Sequence, residues 1–330
     1  MAKDKKNIIL QPVREGLFIK KNKGRWQKLQ EESSSTPDET ARDFIQLVDD
    51  LGYAKTFYPA SRVTQYINAL ASRLYLNIYQ NRKEEKSRLL AFWTTTLPLT
   101  VFRHRKIILF AFFLFILFYV LGFFSALKDP VFVRQVLGDN YVNMTERNID
   151  DGNPFGIYQS GTPFFNWIGI MINNIIVSFM YFLKGLLAGI FSITSMIKES
   201  MRIGAFHYMF FSKGYGLAFI MAVMIHGILE LPAIVFASAA GVVLGTSYLF
   251  PGTGTRLNAL RRGVKDGAII VIGMMPVLIV AGFYEGFVTR HYKMPFALNL
   301  LILASSAFFM IWYFVIYPAR VQKKQNQHGS

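Results

Sequence analysis

The apolar residues of this chain are gathered into long blocks without charge, and this clustering constrains its fold more than any other feature. Residues 107–127, 164–183 and 296–317 run for 21, 20 and 22 residues with no charged side chain. At 1.5 Å of rise per residue, each block makes a helix of about 30 Å, the thickness of a bilayer's hydrocarbon core. Backbone amides find no water there, so such a block must satisfy them internally as a helix. A fourth stretch, from Gly214 to Thr255, covers 42 residues whose only carboxylate, imidazole or cationic side chains are His226 and Glu230. The fold class that follows is all-α: a polytopic helical membrane protein with about six transmembrane helices and an N-terminal cytoplasmic helical region. The hydrophobic content of 52% supports this mainly through its clustering, since soluble domains disperse similar amounts.

Residues 1–106 are polar, with 20 Lys and Arg against 11 Asp and Glu. The start, Met1-Ala-Lys-Asp-Lys-Lys, predicts no cleavable signal. Thr36-Pro37-Asp38-Glu39 is a helix start, with Thr as N-cap, Pro at the first helical position and Glu closing a capping box. Phe44, Leu47, Val48 and Leu51 follow at helical spacing. Pro59 interrupts, and Val63, Tyr66, Ile67, Leu70, Leu74 and Ile78 form a second stripe that packs on the first, with Trp26 and Leu29 docking there. Residues 88–102 read as an interfacial elbow, with Phe92 and Trp93 at headgroup level.

Basic clusters set the topology. Arg103-His104-Arg105-Lys106 precedes the first span, which places the N-terminus in the cytoplasm. The loop 128–163, with 3 basic and 5 acidic residues, falls outside. Lys198, Arg202 and Lys213 read as a cytoplasmic connection, as do Arg256, Arg261, Arg262 and Lys265; Arg320, Lys323 and Lys324 put the C-terminus inside. Between two cytoplasmic markers, residues 214–250 must cross twice, with Pro232 as the break. The expected spans are 107–127, 164–183, 215–230, 232–250, 268–288 and 296–317, forming a transmembrane domain over 107–320 followed by a tail over 321–330.

A carboxylate at the centre of a membrane costs roughly 2.5–3.5 kcal/mol on insertion scales, so His226 and Glu230, one helical turn apart, are candidates for function. Glu285 is the third. Counting rise from Gly214 as the cytoplasmic end puts His226 about 18 Å and Glu230 about 24 Å up, and counting from Gly267 puts Glu285 about 27 Å up. All three then fall in the outer half and share one polar pocket, with Asn173 and Asn174 as further members or as helix cross-links. Such a set could bind a divalent metal and activate water, relay protons or a cation in transport, or simply lock the helices and dock a partner. The metalloprotease pattern of two His flanking a Glu is absent. No cofactor and no bound metal is expected.

Gly185 with Gly189, and Gly241 with Gly245, have the spacing of close helix packing. Pro251-Gly-Thr-Gly-Thr-Arg256 lacks the Gly-Lys-Ser/Thr ending of a phosphate loop and reads as a turn. Asn143-Met-Thr145 is a glycosylation sequon with meaning only in a eukaryotic secretory setting. The absence of cysteine excludes disulfides, thiolate metal sites and cysteine nucleophiles. The net charge of +16 comes from the flanks of the spans and the N-terminal region, and no nucleic-acid recognition motif accompanies it.

Taken together, Asn173-Asn174 with Gly185 and Gly189, His226-Gly227-x-x-Glu230-Leu231-x-Ala233-Ile234, Ala239-Ala240-Gly241 with Gly245, Pro251-Gly252 with Arg256, and Glu285-Gly286-Phe287-Val288 resemble the stage II sporulation protein M family. Tyr53 and residues 63–79 resemble its longer, non-sporulation members. At Lys198-Glu199-Ser200 the chain departs from the Asn-Gly that members often carry. The resemblance implies a protein of the bacterial or archaeal cytoplasmic (inner) membrane. It also implies a scaffold or anchor role beside peptidoglycan-degrading enzymes; no catalytic role follows from it. Partners are then the lipid bilayer and membrane or envelope proteins, with self-association open and nucleic acid excluded. An ion- or proton-coupled transporter or channel and an intramembrane hydrolase are the alternatives that the polar residues themselves raise.

Overall fold

The computed structural model describes residues 13–31, 37–80, 88–159, 161–291 and 294–328. Among these there is no strand, and the chain divides into two units, Met1–Arg88 and Leu89–Ser330.

The first unit contains α1 (Glu15–Glu31), α2 (Pro37–Phe57) and α3 (Arg62–Gln80). Trp26, Leu47, Ala54, Ile67 and Leu70 form its core, the apolar stripes of all three helices converging there. Asp50 ties α1 to α2: it accepts the Trp26 indole N–H at 2.8 Å and pairs with Arg25. The Thr36 cap expected for α2 lies outside the described residues, as does the side chain of Ile78.

The second unit opens within α4 (Arg88–Ala91), which is followed by a π turn (Phe92–Thr96) and α5 (Leu97–Arg103). This is the expected elbow, but it belongs with the bundle, and its C-terminal half is buried: Leu97 and Val101 enter the main core. Leu97 packs on Gly273, and the Tyr313 hydroxyl donates to the Trp93 carbonyl at 2.7 Å.

The bundle contains α6 (Arg105–Lys128), α9 (Pro163–Leu183), α10 (Ile190–Ser212), α11 (Gly216–Leu249), α12 (Arg256–Phe283) and α13 (Phe296–Ile311). The short helices α7 (Pro130–Leu137) and α8 (Asp139–Asp150) lie between α6 and α9, and α14 (Tyr317–His328) follows a π turn at Trp312–Ile316. Five of the described helical segments are long and apolar enough to cross a membrane: Arg105–Lys128, Pro163–Leu186, Gly216–Leu249, Arg256–His291 and Phe296–Gln327.

Two expectations are corrected here. The break at Pro232 does not occur: residues 215–230 and 232–250 are one helix, α11, with Pro232 inside it. Proline removes a single amide from the ladder, and neighbouring helices make this tolerable in apolar surroundings. α11 is the central element, packed by α6, α9, α10, α12 and α13. The second correction concerns α10, expected as a cytoplasmic connection. It lies along α6, with Cβ positions on Gly122 and Gly204 falling 2.7 Å from the Met201 Cα and 2.9 Å from the Phe123 nitrogen. Its last turns reach the segment between α6 and α9, where Phe210 stacks on Phe155 and Phe206 meets Tyr141. Its 23 residues cover about 34 Å, so α10 traverses the same layer as α6. Lys198, Glu199 and Arg202 kept its sequence from reading as a span. Lys213 and Gly214 therefore lie at the end of the bundle that carries α7 and α8, opposite to their expected place.

Candidate functional site

The bundle brings α9, α10, α11 and the π turn after α12 (Tyr284–Val288) together around a cavity of about 480 Å³. α11 contributes His226 and Glu230, one turn apart on one face. The π turn contributes Glu285. One ligand atom from each of these three residues lies within 4.8 Å of the others. His226 is buried, and Glu230 and Glu285 are half-buried.

Local sequence accounts for the position of Glu285. Gly286 follows it, and a Cβ there would sit 3.1 Å from the Trp167 Cα and Cβ, so α9 approaches the turn this closely because the side chain is absent. The Trp167 indole donates to the Ile279 carbonyl at 3.2 Å and fixes α9 against α12. A π turn inserts one extra residue into the helical repeat and re-aims the side chains that follow.

The three residues meet although residues 215–230, the first half of α11, run opposite to the direction expected from sequence. The first turns of α11 lie against the segment between α6 and α9, where Phe219 and Val223 pack with Ile149 and Phe155. His226 is thereby brought level with the distal end of α12.

Around the cluster, the His226 Nδ1 lies 3.1 Å from the Thr289 Oγ1, and that hydroxyl reaches the Ala222 carbonyl at 3.4 Å. Thr289 is fully buried. The Tyr158 ring, in the 3-10 turn Gly156–Gln159, packs 5.8 Å from the His226 ring. Arg290 holds that turn by donating to the Gln159 and Gly161 carbonyls at 2.7 and 3.0 Å. Burial pushes the Tyr141 phenol up to about 12, the Glu285 carboxylate adding to the shift. Burial likewise pushes Tyr158 well above 10, with Tyr141, Glu285 and Glu230 adding. Both phenols stay neutral above the cluster.

Asn173 and Asn174 line the same cavity but stand outside the three-residue group. Asn173 donates to the Asn174 Oδ1 at 3.4 Å, and the buried Asn174 Nδ2 has no partner. The four glycines fall elsewhere, where α9, α10 and α11 converge: Gly185 meets the Gly241 backbone, and Gly245 meets Ala188 and Gly189. Gly189 also takes a left-handed conformation, φ 76°, in the turn that starts α10. That turn is held by the Tyr248 hydroxyl, which donates to the Leu186 carbonyl at 2.7 Å and accepts from the Ala188 amide at 3.1 Å.

Sequence reasoning missed Glu199, Thr289 and Tyr158. Glu199 lines the cavity and accepts from Arg202 at 3.1 Å. Its signal was present as a carboxylate in an otherwise apolar helix, masked by the flanking Lys198 and Arg202. Thr289 and Tyr158 carry no local signal, because tertiary packing alone brings them to His226.

A family model described as Stage II sporulation protein M matches residues 111–290, a range that contains every residue of the cavity. A second, described as a domain of unknown function, matches residues 16–80, the helices of the first unit. Comparison with curated proteins and with solved structures finds no match.

Proposed function

The chain belongs to the stage II sporulation protein M family, and from that premise we propose that it is an integral cytoplasmic-membrane scaffold for a cell-envelope assembly of the peptidoglycan-remodelling kind. The observation that carries this reading is the contact of backbone with backbone at two interfaces, the 3-10 turn Lys184–Leu186 after α9 against α11 at Gly185 and Gly241, and α6 against α10 at Gly122 and Gly204. Alternating-access transport rocks one set of helices against another. Interfaces without side chains to rearrange oppose such motion and favour a rigid platform. The basic residues 103–106, 256–265 and 320–324 support cytoplasmic termini, which makes α7 and α8 extracytoplasmic. There the chain is folded rather than loose: Arg134 donates to Glu146 at 2.9 Å and Asn143 at 2.6 Å, and Gln135, Asn140 and Arg147 are exposed for a partner.

The test is photo-crosslinking in living cells from Gln135, Asn140 and Arg147. Adducts with a cell-wall hydrolase are expected, and three positions without any envelope-enzyme adduct overturn the proposal. The convergence of His226, Glu230 and Glu285 favours ion- or proton-coupled transport as a second reading, with intramembrane hydrolysis as a third. Transport requires a flux in proteoliposomes that Glu230→Gln abolishes, and absence of flux under every gradient refutes it. Hydrolysis requires turnover of a membrane substrate that the same variant abolishes.

A further inference from the structure

We infer that His226, Glu230 and Glu285 form a binding site for a divalent transition-metal ion, with Zn²⁺ as the representative ion. This goes beyond the scaffold reading and stands independently of it.

Three potential ligands converge. Neither Glu230 nor Glu285 accepts a hydrogen bond or pairs with a cation among the described residues, while the nearby Arg202 and Arg290 are committed to Glu199 and to the Gln159 and Gly161 carbonyls. Two carboxylates held together in an apolar bundle repel and lack solvation. A divalent cation cancels both charges at once.

The hydrogen-bond chain behind His226 sets its tautomer. With the Thr289 hydroxyl donating to the Ala222 carbonyl at 3.4 Å, its oxygen accepts from the His226 Nδ1 at 3.1 Å in the Nδ1–H tautomer, and we take that tautomer as part of the inference. The Nε2 then carries the free lone pair. A histidine whose second nitrogen donates to a fixed acceptor is the usual arrangement of a metal ligand.

Geometry and ligand chemistry agree with this. Ligand atoms about 2.0–2.2 Å from zinc lie roughly 3–3.5 Å apart. The separations here reach 4.8 Å, so closure requires movement of about 1–1.5 Å, which rotation of two glutamate side chains supplies. One imidazole and two carboxylates suit Zn²⁺, Fe²⁺ or Mn²⁺, and the lack of cysteine makes thiophilic ions poor candidates. Three protein ligands leave a coordination position open into the cavity. The buried Asn174 Nδ2, which has no partner and lines that cavity, is a donor to a water bound there.

The experiment uses the full-length protein, purified in mild detergent through a tag without histidines. Metal content is measured by mass spectrometry after Zn²⁺ loading and dialysis, and affinity by competition with a chromophoric chelator. About one equivalent per chain is expected. Glu230→Gln and Glu285→Gln should each weaken binding at least about tenfold, as should Thr289→Val, which keeps all three ligands but removes the acceptor for Nδ1. A folded parent protein that retains no zinc overturns the inference, and so does zinc bound equally by parent and variants. Should the variants fail to fold, Co²⁺ in the parent protein decides: an intense visible spectrum of low coordination number supports the site, and the weak spectrum of aqueous octahedral Co²⁺ refutes it.

Discussion

Substituting alanine for Gly185 tests the interlocked backbone that supports the scaffold reading. A Cβ at this position would lie 2.5 Å from both the Cα and the carbonyl carbon of Gly241. Carbon atoms normally pack about 3.5–4.0 Å apart, so the two backbones must separate by at least about 1 Å. Nothing nearby can yield by rotamer change, because both partners are glycine backbone. The surrounding hydrogen bonds resist separation as well: Ser192 to the Tyr181 carbonyl at 2.6 Å and Tyr248 to the Leu186 carbonyl at 2.7 Å. Overpacking costs about 1–3 kcal/mol, and the absence of a side-chain escape places this case near 3. For a unit of this size that lowers Tm by about 6 °C or more. Gly169→Ala is the matched control: it lies in α9, and its Cβ would meet nothing within 4 Å. There alanine limits the unfolded chain and favours helix, raising Tm by about 1–2 °C. Both are read by thermal unfolding in mild detergent, followed by tryptophan fluorescence. If Gly185→Ala melts within about 1 °C of the parent, or if both variants fall equally, the backbone contact does not hold the bundle as described.

Because the chain has no cysteine, single cysteines report topology directly. Lys213→Cys and Asn140→Cys should react with a membrane-impermeant maleimide from the same side, and Gly254→Cys only from the other; labelling of Lys213→Cys together with Gly254→Cys refutes the crossing of α10. Asp266 accepts from His104 at 2.8 Å and Arg103 at 3.0 Å. Arg103 is 63% exposed and contributes little, so Asp266→Ala should cost about 1–2 kcal/mol through His104, seen as a Tm lower by about 2–4 °C. Leu47 is fully buried in the first unit; Leu47→Ala should cost about 2–5 kcal/mol there, read as faster tryptic cleavage within residues 15–80 while the melting of the bundle is unchanged.

Much of the fold was legible because bilayer solvation acts on sequence without regard to neighbours. The blocks at 107–127, 164–183 and 296–317 each lie within a described helical segment long and apolar enough to cross a membrane. The failures also have a physical cause. Hydropathy treats Lys198, Glu199 and Arg202 as exposed to lipid or water, whereas packing turns Glu199 toward a cavity and lays small residues of α10 against α6. Pro232 signals a break only for an isolated helix; inside five neighbours, one missing amide is tolerated. Residues 215–230 and 232–250 merge into α11, and α10 runs alongside α6 for about the same length.

The sequence by itself determined that this is a helical membrane protein, that His226 and Glu230 share a helix face, and that Glu285 lies near the end of another helix, because periodicity and the cost of burying charge are local quantities. Only the tertiary structure decided that the three side chains converge within 4.8 Å, that Thr289 orients the imidazole, and that Glu199 and Asn174 line the same cavity. Those relations join residues far apart in the chain, Asn174 and Glu285 being 111 positions apart (285 − 174). They arise from how glycine-faced helices stack; the glycine spacing marks a packing face, but which helix meets it is set only in three dimensions.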